Sequence, residues 1–159
     1  AGSYHGLRLG EWENHGVTQM RVYIAGRFED RARLAAEAQR LQNLGPVCTV
    51  ISSWLKESDP VGMTEHTVVT AAITPAEARA YAVRDIQEVK TADVFILDSQ
   101  GTNIRAGREV EWGIALTRMI PRYIVGPARN VFHELATRRY DTWAAFLEEF
   151  APVCREGLS

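Results

Sequence analysis

The sequence predicts an α/β fold: a flavodoxin-like or Rossmann-like doubly wound sheet of about five parallel strands in three layers, α/β/α. Two observations carry this. Short apolar runs alternate with longer segments of helical period, the pattern of a parallel sheet covered by helices on both faces. The stretch from Thr91 to Ala115 then reads T-A-D-V-F-I-L-D-S, Q-G-T-N-I-R-A-G, R-E-V-E-W-G-I-A. A buried strand, a glycine loop and a helix with an early acid form a ligand-facing corner of an open α/β sheet.

The elements follow in order. Residues 1–19 are polar, without a clear period, and read as a loosely held arm or a vector-derived remnant. A single domain is expected over 20–159. Arg21 to Ala25 is the first strand, broken by Gly26. The helix that follows presents Leu34, Ala38, Leu41 and Leu44 on one face, and Gly45-Pro46 stops it. Val47 to Ile51 is the second strand and leads into Ser52-Ser53-Trp54. Lys56 to Thr74 is irregular, long enough to read as a lid or binding loop. Thr74-Pro75-Ala76-Glu77 is a helix start with an N-cap, a first-turn proline and an acid at the third position. That helix runs to about Thr91 with Ala78, Tyr81, Ala82, Asp85, Ile86 and Val89 on one face. Asp93 to Asp98 is a fully buried strand. In the helix after Gly107, Val110, Ile114 and Leu116 suit the inward face. Gly113 is expected there for close packing, and Glu111, near the positive helix end, is expected to stay ionised. Arg122 to Val125 is the fourth strand, Asn130 to Leu135 a short fifth strand or a loop. The segment from Tyr140 begins a last helix docked by Phe146, Leu147 and Phe150.

Composition bounds the function. The chain has 159 residues, 46% apolar and 24% charged, and a net charge of −2, which gives no footprint for a nucleic-acid partner. No apolar stretch reaches the roughly 18 residues a membrane helix needs, and no signal pattern opens the chain. A soluble, cytoplasmic protein is expected, with Cys48 and Cys154 as reduced thiols. The four histidines show no ligand spacing, so neither a metal nor a cofactor is expected.

The carboxyl ends of the strands gather Gly26 to Phe28, Ser52 to Trp54 and Asp98 to Gly107 around one crevice, with Glu111 on the adjoining helix. Asp85 is an acid in an apolar stripe: either a boundary residue bonded to backbone or an acid of the site. Paired carboxylates suit glycosyl chemistry, one acid attacking the anomeric carbon while the other manages a proton.

Three segments, Y-I-A-G-R-F-E-D-R, Y-A-V-R-D-I-Q-E-V-K-T-A-D and G-R-E-V-E-W-G-I-A, occur in that order. Together they resemble the nucleoside 2-deoxyribosyltransferase family, which includes nucleoside-5′-monophosphate N-glycosidases, over most of 20–126. The resemblance implies that Glu111 is the nucleophile at C1′ of a deoxyribose and that Asp85 contacts and protonates the departing base. It implies further that Tyr23 positions the nucleophile or the sugar, and that Gly26 and Phe28 lie beside base and sugar. Asn130 and the segment to His133 would then reach a neighbouring subunit's site in a homodimer or higher homo-oligomer.

Two departures stand out. The transferases carry an aspartate where this chain has Arg105. That residue, with Ser99 and the amides at Gly107, is either a phosphate clamp for a monophosphate substrate or a solvated loop arginine. Tyr81 precedes the acid by four residues rather than three. Trp54 is either a stacking surface for a base or a core residue; Asp98 is a further candidate contact. The expected activity is cleavage of the N-glycosidic bond of 2′-deoxynucleosides or their 5′-monophosphates, with deoxyribose passed to another base or to water. The alternative is a noncatalytic nucleotide-binding sensor on the same fold.

Overall fold

The computed structural model describes residues 19–57, 74–101 and 106–157. The strands are β1 (Met20–Ala25), β2 (Cys48–Val50), β3 (Val94–Asp98), β4 (Arg122–Val125) and β5 (Arg138–Tyr140). The helices are α1 (Arg31–Asn43), α2 (Pro75–Thr91), α3 (Gly107–Arg118) and α4 (Trp143–Glu156). Short 3-10 turns lie at Phe28–Asp30, Ser53–Lys56 and Val131–Leu135.

All strand pairs are parallel, in the order β2-β1-β3-β4-β5, the flavodoxin-type order, in keeping with the doubly wound fold expected. The chain builds outward from β1 to β2, then reverses through β3 to β5. The order reverses between β1 and β3, the point where open α/β sheets place a crevice at the strands' carboxyl ends. Every residue of β3 is buried, as are Val22 to Ala25 of β1. Strands covered on both faces need such unbroken apolar runs. Helices α2 and α3 pack on each other and on β1, while α1 and α4 pack together on the opposite face. The docking faces of α1 (Leu34, Ala38, Leu41) and α4 (Phe146, Leu147, Phe150) are buried as read from the sequence. Thr74 caps α2, its Oγ1 accepting the Glu77 amide at 3.2 Å.

Gly26 packs closely against α1: a Cβ there would lie 2.4 Å from Cδ1 of Leu34, which would have to move to make room. Gly126 adopts a φ of +119°, in the region only glycine enters freely, and turns the chain beside Ser99.

Several expectations are corrected. Residues 131–135 are a 3-10 turn, and the fifth strand is Arg138–Tyr140, so Tyr140 ends a strand rather than opening the last helix. Thr142 caps α4, accepting the Ala145 amide at 3.1 Å. On α3 the buried face is Arg108, Trp112 and Ala115, while Val110 is 56% exposed. Trp112 takes the core position because its indole fills the space between Phe95 and His133, at 6.0 and 5.4 Å between centroids. A Cβ on Gly113 would meet nothing within 4 Å, so packing does not require glycine there. On α2, Tyr81 faces outward beneath Arg84 and only Val89 is fully buried. Most of the irregular Lys56 to Thr74 stretch, the residues before 19, and Arg105 lie outside the described residues.

Candidate active site

Tyr23 is the fourth residue of β1 and pairs in register with Phe95 of β3. Their rings stack at 5.8 Å with 13° between planes, on the face covered by α2 and α3. Burial between strand and helices fixes the phenol, and its hydroxyl donates to Oε1 of Glu111 at 3.0 Å. Burial first, then the charges of Glu111 and Asp85, raise the tyrosine far above its ordinary range, so it remains a donor.

Glu111 is pushed up to about 8, chiefly by burial, then by the negative charge of Asp85. The Tyr23 hydrogen bond pulls the other way, and Glu88 adds a smaller upward push. The expectation of a fully ionised carboxylate at the helix start is thus corrected: loss of water outweighs the favourable end of the helix. Asp85 is also raised, first by burial, opposed by Arg84, then raised further by Glu88 and Glu57. The negative charge of Asp85 thus acts on Glu111 directly, and both carboxyls are held above the usual carboxylate range.

Supporting groups surround the pair. Glu88, one turn after Asp85 on α2, accepts the Ser53 amide at 3.0 Å and a short bond from the Ser53 hydroxyl. Ser52 Oγ accepts the Ile24 amide at 2.6 Å. Trp54 is buried, its indole N–H donating to the Ile24 carbonyl at 2.8 Å, its ring edge beside Gly26. Half-buried Phe28 opens the turn into α1 with the Arg31 guanidinium 4.5 Å above its ring.

Asp98 lies apart from this set. Strand alternation sends it to the α1/α4 face, fully buried. There Arg33 grips both carboxylate oxygens at 3.0 and 3.1 Å, and the Trp143 indole donates to Oδ2 at 2.7 Å. Ser99, next along, gives its hydroxyl to the Pro127 carbonyl at 2.6 Å.

The turn from Ser99 to Gly101 is ringed by cations. Arg129 donates to the carbonyls of Ser99 and Gly101 at 3.0 and 3.1 Å. Arg108, buried in the first turn of α3 directly after Gly107, reaches the carbonyls of Asp98 and Gln100, and its Nε has no partner among the described residues. Burial lowers the Arg108 guanidinium, and the charges of Arg129 and Arg27 push it the same way.

Asn130 caps the 131–135 turn through the Phe132 amide at 2.9 Å and donates to Glu109 at 3.2 Å. Buried His133 accepts the Arg129 amide on Nδ1 at 3.0 Å, so its proton sits on Nε2 and points at Glu109, 2.9 Å away. This network ties the chain after β4 to the first turn of α3. Sequence reasoning missed Arg84, Glu88, Arg108, Arg129 and the Glu109–His133 pair. Only Glu88 carried a signal, its helical spacing from Asp85.

Architecture and side chains together define an open α/β fold with Tyr23, Asp85 and Glu111 acting on one another beside the sheet's switch point. The same fold occurs in a 2-deoxyribosyltransferase from Bacillus psychrosaccharolyticus, with TM-score 0.61 and 18% identity over 87% of this chain and 99% of that one. A conserved protein from Enterococcus faecalis V583 superposes with TM-score 0.62 and 14% identity, over 85% of this chain and 99% of that one. A CMP N-glycosidase from Clostridium botulinum gives TM-score 0.51 and 15% identity, over 82% and 96%. No protein-family profile and no curated protein matches the sequence.

Proposed function

We propose that this chain is a member of the nucleoside 2-deoxyribosyltransferase family and cleaves the N-glycosidic bond of 2′-deoxynucleosides or their 5′-monophosphates. The observation that carries the reading is the Tyr23 hydroxyl at 3.0 Å from Glu111, with Asp85 close enough to raise it. The fold shared with a 2-deoxyribosyltransferase and a CMP N-glycosidase supports it. So does the order of the three sequence segments.

In this reading the pair works on one proton. The Glu111 carboxylate attacks C1′ as the C1′–N bond breaks and its electron pair leaves with the base. Asp85 gives the base its proton. A second base or water, passing its proton to the Asp85 carboxylate, then attacks C1′ and releases Glu111. A resting site with the proton on Glu111 becomes competent when that proton moves to Asp85: the move frees the nucleophile and arms the acid together. Tyr23 steadies the glutamate oxygen throughout. The cations around Ser99–Gly101, with the unpartnered Nε of Arg108, favour a 5′-monophosphate. The exposed Val131, Phe132 and Leu135, next to Asn130, suit a homo-oligomeric contact.

Incubation with 2′-deoxynucleosides and their monophosphates, with and without a second free base, tests the proposal by chromatography. Free base from monophosphates alone identifies a hydrolase. An exchanged nucleoside identifies a transferase. Binding without any product refutes the enzymatic reading and favours a sensor.

A further inference from the structure

We propose that Arg84 is a positioning residue for Asp85, pinning one carboxylate oxygen so that the other is the one offered to the departing base. This inference rests on the function proposed above. Arg84 Nε and Nη2 both reach Oδ1 of Asp85, at 3.1 and 2.8 Å. The same Nη2 makes a short bond to Oε1 of Glu57, just beyond the Ser53–Lys56 turn. The Tyr81 ring lies 5.3 Å from the guanidinium carbon. Arg84 is therefore held from two sides, and among the described residues nothing donates to Oδ2 of Asp85. An acid at this place needs that arrangement: one oxygen fixed for aim, one left to exchange a proton.

The charge balance gives Arg84 a second effect. The groups acting on the pair are Arg84 and Glu88 from α2, Glu57 after the 53–56 turn, Tyr23 from β1 and Glu111 from α3. Arg84 is the one cation in that set. As the C1′–N bond breaks and the Oδ2 proton passes to the base, Asp85 is left as a carboxylate beside Arg84, which stabilises that product charge. Without the arginine, Asp85 holds its proton more tightly and yields it less readily.

Arg84→Gln, Arg84→Lys and Glu57→Gln test this, with kcat and KM followed against pH on a 2′-deoxynucleotide that the wild type turns over. The Asp85 carboxyl is titrated in parallel by carbon NMR. In Arg84→Gln, kcat is expected to fall roughly 10- to 100-fold with KM changed less than about threefold. The alkaline limb of the profile and the Asp85 titration should both move to higher pH. Arg84→Lys should return the limb toward the wild-type position without restoring all of kcat, because an ammonium lacks the fork. Glu57→Gln, which loosens the arginine and also removes a negative charge that raises Asp85, should cost less than Arg84→Gln and move the limb the opposite way, to lower pH. An Arg84→Gln rate within about threefold of wild type at every pH overturns the proposal. So does a lower kcat with limb and titration unmoved, the mark of a merely structural residue. Absence of turnover in the wild type overturns the parent reading, and this inference with it, an outcome no variant can imitate.

Discussion

Glu111 must be an anion to attack carbon, yet its surroundings favour the protonated acid. Its shift to about 8 comes from burial and from Asp85, and it has a stability consequence with a definite sign. The folded state binds the Glu111 proton more tightly than the unfolded chain, so stability is fullest below the unfolded value and declines as pH rises through about 8. Glu111→Gln is expected to abolish turnover and to be more stable than wild type at pH ~9 by on the order of 1–3 kcal/mol, with little gain at pH ~4. Denaturant melts at both pH values measure this. The shared proton also predicts that kcat/KM falls with rising pH through about 8, as the pair loses its last proton. A profile that instead climbs through that value would remove Asp85 as the proton donor. At this scale the sequence proposed Glu111 and Asp85 through resemblance and helical spacing, but could not give their ionisation. That depends on Tyr23, Asp85 and Glu88 converging from β1 and α2, which no local pattern encodes.

Helix α3 is the element on which local reading went out of phase. Of its apolar residues at 110, 114 and 116, Ile114 and Leu116 pack partly against the core, Val110 faces solvent, and the fully buried positions go to a tryptophan, an arginine and an alanine. An amphipathic indole bonded to the Phe132 carbonyl at 3.2 Å, and a guanidinium bonded to carbonyls, break the equation of apolar with inward. The end of the same helix is strained. Met119 sits at φ 56° in the left-handed region and is 84% exposed. Met119→Gly is expected to raise stability by about 0.5–1 kcal/mol, read from the denaturant midpoint, since the strain is relieved and almost no contact is lost. The fifth strand escaped notice because Arg138–Tyr140 is short and carries two arginines, against the apolar pattern of the other strands.

For the molecule as a whole, the parallel sheet and the helices on both faces were legible because alternating strands and helices with right-handed crossovers leave few alternatives. The separation of the two faces was not. Asp98, read as a crevice residue, clasps α1 and α4 through Arg33 and Trp143 on the side away from Glu111. Asp98→Ala leaves a half-exposed guanidinium and a buried indole N–H unpaired, and is expected to cost about 3 kcal/mol. Thermal denaturation together with the Glu111-dependent rate separates the roles: stability should drop while kcat at low temperature stays near wild type.

The pairing of β1 with β3 has a kinetic consequence. The Arg21 amide meets the Asp93 carboxylate across 72 residues of chain, so the sheet's centre closes over a long loop rather than zipping from neighbours. Loop closure of that kind slows folding. During synthesis β1 lacks its inner partner until the chain through Asp98 has emerged, and its apolar edge stays open to other chains for that interval. The phenol of Tyr23 and the glutamate it serves therefore meet only after β3 has paired with β1 and the chain through Glu111 has emerged.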